Sequence, residues 1–203
     1  MIVVIDYALG NPTSIVNMFK RIGTRALISH DPADIANAEK LVLPGVGHFK
    51  KGMDNLAASG ILPVLSEEVS VKKKPILGIC LGAQLMTSHS EEGDVDGLGW
   101  IDATTVKFQN DRLGRLKVPH MGWADVHFTR SNPLWEGIGD DARFYHVHSY
   151  HFQMRNASDV IATAAYGYEF ATAFNNGNVF GTQFHPEKSH HYGMRVLQNF
   201  SKL

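Results

Sequence analysis

An apolar run, Ile76–Ile79, ends in a Gly-x-Cys-x-Gly pattern around Cys80 and passes at once into a helical pattern. Small residues two positions before and two after a nucleophile allow a strand to turn sharply into a helix. Cys80 would then lie above the edge of a sheet, at the positive end of the helix, where a thiolate is stabilised. A lone cysteine is more often a buried structural residue. The flanking glycines and the change from strand to helix favour a nucleophile instead.

Short apolar runs alternate with helical patterns through the first half of the chain. The predicted strands are Ile2–Ile5, Arg25–Ser29, Lys40–Leu43 and Ile76–Ile79. The predicted helices are Thr13–Ile22, Asp34–Ala38, Lys51–Ala58 and Ile61–Val71. Continuous apolar strands between helices are typical of parallel sheets that are buried on both faces. We therefore predict an α/β fold, with an open, mostly parallel sheet and helices on both faces.

The second half of the chain has runs at the spacing of hairpins. These runs are Trp123–Phe128, Phe144–Val147, Val160–Ala165 and Val179–Phe184. They predict antiparallel additions to the same sheet, and Tyr192–Phe200 is predicted to form a final amphipathic helix. Since no repeat, low-complexity tract or linker interrupts the chain, residues 1–203 are predicted to form a single domain.

Composition excludes several classes of function. The 203 residues are 44% hydrophobic and carry a net charge of −1, so no general field favours nucleic acid or an anionic membrane. The first residues lack the basic start of a signal peptide, and no run approaches the ~20 apolar residues of a membrane span. A single cysteine excludes an internal disulfide and favours a reducing compartment. We expect a soluble, cytoplasmic protein with no nucleic-acid or membrane partner.

A cysteine nucleophile needs a base, and the base needs a group that orients it. His185 follows an apolar run that begins at Val179, so it should emerge where a strand ends, at the same sheet edge as Cys80. Glu187 follows two residues later, across a proline, and can reach the far ring nitrogen. The sequence therefore predicts His185 as the base and Glu187 as its orienting carboxylate.

Attack on an amide also creates an oxyanion, which needs preorganised hydrogen-bond donors. The backbone N–H of Leu81, directly after the nucleophile, is predicted to be one donor. A second is predicted in Gly45-Val46-Gly47, at the end of the third strand, where two glycines allow an exposed peptide to flip. An ordinary strand-to-helix turn is the alternative interpretation of this tripeptide.

Two histidine-rich stretches raise the question of a metal site. His146, His148 and His151 lie close together in the sequence, as do His190 and His191. No His-Glu-x-x-His motif or cysteine pair accompanies them, so no metal is predicted. The glycine-rich turns match neither a Walker sequence nor a Gly-x-Gly-x-x-Gly after a strand, so no nucleotide cofactor is predicted.

Together these motifs resemble those of the class I (triad) glutamine amidotransferases, whose fold is flavodoxin-like. The matching segments cover nearly the whole chain in order: Asp6-Tyr7, Gly10-Asn11, Pro44–Gly47, Gly78–Gln84, Pro119–Trp123, His148–Tyr150 and Phe184–Ser189. Within this family, the set is similar to the glutaminase subunits of imidazole glycerol phosphate synthases. Each tetrapeptide alone is weakly specific, whereas the combination is highly specific.

The resemblance implies a mechanism and a partner. Cys80 would attack the side-chain amide of L-glutamine, with His185 moving protons and Glu187 orienting it. By similarity, the residues that hold the amino and carboxylate groups of the substrate are Gln84, Glu92, His148 and Ser149. The ammonia would pass to a (β/α)8-barrel cyclase subunit, in a heterodimer of histidine biosynthesis. Tyr145 and Lys188 match positions near that interface.

The paired glycines around Val46 also suggest how such a subunit has little activity in the absence of its partner. Our hypothesis is that the Val46 N–H points away from the site until the partner, with its own ligand bound, favours the flipped peptide. Hydrolysis without an acceptor would waste glutamine, so a switch of this kind has a clear use.

Several positions depart from the usual pattern of the family and keep other interpretations open. They are Ala8, Pro12, Ala83, Ala124 and His146. None belongs to the predicted triad, so they bear on the acceptor of the ammonia rather than on the chemistry. One alternative is a paralogous glutaminase that supplies a sugar amidotransferase in surface-polysaccharide biosynthesis. Others are a cysteine peptidase or stress protein of similar fold, and an inactive scaffold subunit.

Overall fold

Strands and helices alternate through the first half of the chain in a computed structural model that describes residues 1–203. In chain order the strands are β1 (Ile2–Ile5), β2 (Ala26–Ser29), β3 (Lys40–Leu43), β4 (Ile76–Ile79), β5 (His89–Ser90), β6 (Val95–Asp96), β7 (Ala103–Lys107), β8 (His120–Phe128), β9 (Arg143–His148), β10 (Tyr150–Met154), β11 (Val160–Tyr166), β12 (Tyr168–Asn176) and β13 (Val179–Thr182). The helices are α1 (Pro12–Arg21), α2 (Pro32–Asn37), α3 (Phe49–Ala58), α4 (Leu62–Ser66), α5 (Leu81–Leu85) and α6 (His190–Lys202).

Five parallel strands form one end of the sheet, in the order β2-β1-β3-β4-β13. Their register places Thr182 beside Ile79 and Leu43 beside Gly78. The carboxyl ends of β3, β4 and β13 therefore lie next to one another, at the edge where ligands bind in open α/β sheets. β1 and β4 are buried along their whole length, which explains why both are continuous apolar runs.

Helices cover both faces of the parallel strands. α1 and α6 pack on one face, where Phe19 and Phe200 are fully buried. α2, α3, α4 and α5 pack on the other face, where Phe49 is fully buried. Successive strand residues point to opposite faces, so Val4 joins the first core and Ile5 the second. Among these helices, none is both long and apolar enough to cross a membrane.

The second half of the chain extends the sheet with antiparallel strands. β12 pairs with β13, and β10 and β7 continue the sheet beyond it. β11, β8 and β9 branch off from β12 as a further antiparallel layer, in which His120 pairs with His148. The backbone N–H of His185 donates to the carbonyl of Tyr145 on β9 (2.9 Å). This layer therefore reaches the carboxyl edge of the parallel strands.

The predicted fold class is confirmed, and the differences lie in single elements. Val179–Phe184 is predicted as an antiparallel addition, whereas β13 is antiparallel only to β12 and is parallel to β4. The spacing of a hairpin indicates pairing with β12, which is next in the sequence, but gives no sign of pairing with the distant β4. The helix predicted over Ile61–Val71 changes from α to π geometry at Glu67. The sequence patterns also miss β12, β7 and β10; the buried residues of β7 and β10 include the polar Thr105 and His151.

Candidate active site

Cys80 occupies a sharp turn between β4 and α5. Its backbone has φ 52° and ψ −111°, a left-handed conformation that is strained for a residue with a side chain. A Cβ on Gly78 would lie 2.7 Å from a backbone nitrogen of α5, and one on Gly82 would overlap the carbonyl of Leu43. Both positions therefore require glycine. The backbone N–H of Cys80 donates to the carbonyl of Thr182 (2.8 Å), which joins the turn to β13.

His185 lies beyond the carboxyl end of β13, on the strand next to the one that ends at Cys80. Its Nδ1–H donates to the Glu187 carboxylate (2.7 Å). Ser189 fixes the backbone of this turn by donating to the carbonyl of His185 (2.6 Å). Both the imidazole and the carboxylate are almost fully buried, and His185 Nε2 has no hydrogen-bond partner. With Nδ1 engaged, Nε2 is the nitrogen left for proton transfer.

The charges around His185 determine its protonation state. Burial by itself lowers the pKa of His185, but attraction to the Cys80 thiolate and the hydrogen bond to Glu187 raise it to about 10. The imidazolium form is therefore favoured at neutral pH beside a charged sulfur. A thiolate paired with an imidazolium is the reactive form of a cysteine nucleophile.

Leu81, the predicted first oxyanion donor, is engaged within the protein. Its backbone N–H donates to the carbonyl of Gly45 at 3.3 Å. The Gly45–Val46 peptide therefore presents its carbonyl, not its N–H, to the first turn of α5. Because the two groups of a trans peptide point in opposite directions, a half rotation of this peptide would free Leu81 and bring the Val46 N–H round. The loop thus adjoins the first turn of α5, with the Val46 N–H turned away from it.

Tyr7 supports this loop, although the sequence analysis assigns it no role. Its hydroxyl donates to the carbonyl of Pro44 (2.6 Å). Burial and, to a smaller extent, the charge of Cys80 raise the pKa of Tyr7, so the hydroxyl remains a neutral donor. With Pro44 held in this way, the adjoining Gly45–Val46 peptide is the part of the loop that is left to turn.

A pocket of 280 Å³ contains Cys80 in its wall. Its lining consists of Val46, Gly47, Cys80, Leu81, Gln84, Glu92, Pro119, Val147, His148, Ser149 and Tyr150. All except Pro119, Val147 and Tyr150 are predicted site residues. His185 and Glu187 lie outside the lining, buried behind it. A pocket of this size suits a small ligand, and its wall brings the nucleophile together with polar groups from several loops.

Hydrogen bonds hold two of the predicted substrate-binding side chains. Gln84 donates through Nε2 to the Tyr150 carbonyl and to Oε1 of Gln183, each at 3.1 Å. Glu92 accepts from the backbone N–H of Phe49 (2.7 Å), at the start of α3. Both side chains are thus fixed in the pocket wall, and the carboxylate is suited to an ammonium group of a ligand.

The imidazole of His148 is used within the protein rather than offered to a ligand. Its Nδ1–H donates to the Tyr150 carbonyl (2.7 Å), and Nε2 accepts from Nδ1–H of His120 (3.3 Å). Burial and the neighbouring histidines lower the pKa of His148, so the ring is neutral. A contact of His148 with a substrate is therefore left to its backbone groups. His120 is a supporting residue that the sequence motif contains but does not explain.

Tyr145 and Lys188, the predicted interface residues, lie outside the pocket and next to each other. The Lys188 ammonium is 5.9 Å from the centre of the Tyr145 ring. Trp123 packs against Tyr145 and stacks on His190, with ring centres 5.3 Å apart in the second pair. Met121 and Trp123 are both exposed. We call these five residues the aromatic patch.

His146, His148 and His151, three of the histidines considered as metal ligands, bond to other protein groups. His146 Nε2 lies 2.8 Å from the Thr172 hydroxyl, and its Nδ1–H donates to a backbone carbonyl. His151 Nε2 lies 2.9 Å from the Tyr168 hydroxyl. No three His, Cys, Asp or Glu side chains are arranged to hold a metal ion.

Comparison with known proteins identifies the relatives of the chain. Residues 3–203 match the family described as glutamine amidotransferase class-I. Imidazole glycerol phosphate synthase subunit HisH 2 of Pseudomonas aeruginosa is 49% identical over 100% of both chains. Subunit HisH 2 of Methanococcus maripaludis is 46% identical over 100% of this chain and 99% of its own. Subunit HisH 1 of a Campylobacter jejuni strain is 45% identical over 100% of both.

Solved structures share the fold at much lower sequence identity. A crystal structure of a glutamine amidotransferase aligns with a TM-score of 0.75 at 17% identity, over 99% of both chains. The glutaminase domain of Trypanosoma brucei CTPS, solved with bound acivicin, has a TM-score of 0.67 at 16% identity, over 99% of this chain and 93% of that one. At these identities the likeness concerns the fold alone.

Proposed function

Because the chain belongs to the class I glutamine amidotransferases, we propose that its 203 residues act as one glutaminase domain that hydrolyses L-glutamine to glutamate and ammonia. The observation that carries the proposal is the meeting of three groups at one sheet edge. Cys80 lies in the wall of a small pocket, and the buried His185–Glu187 pair lies behind it. A nucleophile, a proton carrier and an orienting carboxylate are the parts that amide hydrolysis needs.

The reaction follows from this geometry. The Cys80 sulfur attacks the side-chain carbonyl carbon of glutamine, and His185 gives its Nε2 proton to the leaving nitrogen. The C–N bond breaks, ammonia leaves and a glutamyl thioester remains on the sulfur. His185 then takes a proton from water while the water oxygen attacks the thioester. The C–S bond breaks, so glutamate leaves and the thiolate returns.

Substrate recognition is assigned to the pocket wall. Glu92 carries the negative charge that would attract the α-ammonium group of glutamine, and Gln84 supplies a side-chain amide nearby. Backbone groups of His148 and Ser149 would hold the carboxylate, since the ring of His148 is already bonded. With the ammonium and carboxylate groups of the α-carbon held in this way, the amide at the other end of the substrate would be placed at Cys80.

The ammonia is proposed to pass to a cyclase subunit of imidazole glycerol phosphate synthase, in a cytoplasmic heterodimer of histidine biosynthesis. The names of the relatives support this destination. The aromatic patch supports the partner, because Tyr145, Trp123 and Lys188 offer aromatic and cationic groups on one exposed surface. Aromatic and methionine side chains are enriched at protein interfaces.

Partner binding is proposed to turn the Gly45–Val46 peptide. In the unpartnered chain, the carbonyl of Gly45 accepts the hydrogen bond of the Leu81 N–H, which leaves no donor for an oxyanion. A partner that favours the turned peptide would supply two donors at once, from Leu81 and Val46. The expected effect is on turnover, because the donors matter in the transition state and not in the bound substrate.

A second acceptor has support from the names of the relatives. The Pseudomonas and Methanococcus subunits are numbered 2 and the Campylobacter subunit is numbered 1, which implies more than one such subunit in each organism. One copy suffices for one biosynthetic pathway. As the alternative acceptor we propose a sugar amidotransferase of surface-polysaccharide biosynthesis, which would use the same glutaminase chemistry.

Glutamate release from glutamine tests the proposal, with and without each candidate partner and with Cys80→Ala as the blank. We expect hydrolysis that depends on Cys80 and a rise in kcat when the true partner and its ligand are present. Hydrolysis that persists in Cys80→Ala would refute the mechanism. A partner that lowers KM and leaves kcat unchanged would refute the peptide switch. The partner that raises kcat identifies the acceptor.

A further inference from the structure

Gln183 is a buried side chain that contacts the nucleophile without belonging to the predicted triad. It is fully buried, and its Nε2 lies 3.7 Å from the Cys80 sulfur, a distance within reach of a hydrogen bond to sulfur. Its backbone N–H donates to the carbonyl of Thr172 (2.8 Å). Because Thr182 pairs with Ile79, the register places Gln183 directly beside Cys80.

A chain of hydrogen bonds fixes which end of the Gln183 amide faces the sulfur. The Tyr150 carbonyl can only accept, so the nitrogen of Gln84 must face it. The same nitrogen faces the Gln183 side chain, which must therefore present its oxygen to Gln84. The Gln183 nitrogen is then left to face Cys80. This assignment rests on donor and acceptor chemistry, which is how amide orientations are decided.

The sulfur has different partners in its two protonation states. As a thiol it can donate to the Val147 carbonyl, which is 4.0 Å away. As a thiolate it can only accept, and a buried anion needs donors. The backbone N–H of Leu81 already donates to Gly45. Besides the His185 imidazolium, the Gln183 amide is therefore the side-chain donor placed within reach of the charged sulfur.

We propose that Gln183 is a positioning residue that stabilises the Cys80 thiolate, through a hydrogen bond whose direction is enforced by Gln84. This inference deepens the proposed glutaminase function and rests on it only for the identity of the nucleophile. Gln84 consequently has two roles, one in the pocket wall and one in holding Gln183. If Gln84 were removed, the Gln183 amide could turn over and present its oxygen to the sulfur, which would disfavour the thiolate.

The single cysteine of the chain makes a direct test simple, because iodoacetamide labels Cys80 and no other thiol. The variants are Gln183→Met, which keeps the size and loses the donor, and Gln183→Glu, which keeps the shape and adds a negative charge. For Gln183→Met we expect the pH of half-maximal alkylation rate to rise by about one unit, since a hydrogen bond to a charged group is worth about 1.5 kcal/mol. For Gln183→Glu we expect a larger rise.

Kinetics separate positioning from a general loss of structure. For folded Gln183→Met we expect kcat at pH 7 to fall about tenfold, as the thiolate fraction falls, with little change in KM. Part of that loss should be recovered at higher pH. Asn178→Leu is the matched control: it removes an amide that donates to two backbone carbonyls at the other end of β13. It should lower stability and leave the alkylation profile unchanged.

The outcomes distinguish this inference from the proposed function. If the alkylation profiles of folded Gln183→Met and of the unmodified protein coincide, the positioning role is refuted. If Gln183→Met fails to fold, an unchanged profile in Gln183→Glu refutes it instead. Absence of Cys80-dependent glutaminase activity in the unmodified protein with its partner would refute the proposed function, while the alkylation experiment would still decide the role of Gln183.

Discussion

Histidines in two neighbouring regions of this protein have opposite charge preferences. The pKa of His185, which lies after β13, is raised to about 10. The pKa of His146 on β9 is lowered to about 3, and that of His120 on β8 to about 4. All three side chains are buried, so burial does not account for the difference.

The difference comes from the charges that face each ring. Burial lowers the pKa in every case, but for His185 the Cys80 thiolate and the Glu187 carboxylate reverse the effect. His146 bonds only to neutral groups, the Phe144 carbonyl and the Thr172 hydroxyl, and neighbouring histidines lower its pKa further. A buried imidazole thus becomes an imidazolium only where a negative charge faces it. His185 can therefore carry a proton, whereas His146 and His120 remain neutral beside it.

Of the replacements in these two regions, that of His185 should lower activity the most. For His185→Ala, we expect kcat in the presence of the partner to fall by about 10³-fold or more, because no other group can move the proton and triad members act as a unit. His146→Phe is the control, since it removes a buried imidazole that does not contact the nucleophile, and it should keep most of the activity. Equal losses in the two variants would refute the division into two regions.

Removing the sulfur should change the pKa of His185. In Cys80→Ala, burial remains and one attractive charge is lost, so we expect the pKa of His185 to fall by about two units. The measurement is an NMR titration of the histidine ring signals. The pKa of His146 should stay low, because its causes are burial and its own neighbours. An unchanged pKa for His185 would mean that Glu187 alone holds the imidazolium.

The buried neutral histidines of β8 and β9 should make the stability of the protein decrease in acid. The folded-state pKa of His146 is about 3, below the usual 6.5 or so, so the unfolded state binds the proton more readily. The free energy of unfolding should therefore fall as pH decreases below about 6.5, by about 2 kcal/mol between pH 7 and pH 5 for this residue. Urea unfolding of His146→Phe should show a loss over that range smaller by this amount. Equal losses in both proteins would contradict the prediction.

Replacing Ser189, which links the two regions, should have the smallest effect on activity. Ser189 accepts from the backbone N–H of Tyr145 on β9 and donates to the carbonyl of His185. Ser189→Ala is expected to cost about 1 kcal/mol of stability and to lower kcat about tenfold or less, because His185 keeps Glu187 but loses its anchor. Ser201→Ala, which removes a hydroxyl within α6, is the control. A change in stability with no change in kcat would mean that Ser189 does not position His185.

The residues of the proposed triad can be predicted from the sequence because each lies in a local pattern. The glycines around Cys80 are required by the turn that holds it, and Glu187 reaches His185 from two residues away. The strands of the parallel half of the sheet can also be predicted from the sequence, since buried strands such as β1 are continuous apolar runs. The antiparallel half is harder to predict, because buried positions such as Thr105 are polar and their partners are distant in the sequence.

Some functional relations are absent from any local pattern. The ring of His148 is bonded to His120 rather than offered to a substrate, and Gln183 donates to Cys80 between the ends of two neighbouring strands. Leu81 is predicted as an oxyanion donor, yet its N–H is bonded to Gly45. Each of these depends on which groups happen to be nearest in space, so spacing along the chain carries no signal for them.

The sequence by itself determined the α/β fold and the family, and it predicted the nucleophile, its base and its orienting carboxylate. These follow from backbone requirements and short-range geometry within single segments. Only the tertiary structure decided the state of the Gly45–Val46 peptide and the hydrogen-bonded chain from Tyr150 through Gln84 and Gln183 to the sulfur. The physical reason is that these hydrogen-bond donors and acceptors belong to segments distant in the sequence. They can bond to one another only when the folded sheet brings the ends of β3, β4 and β13 next to the start of β10.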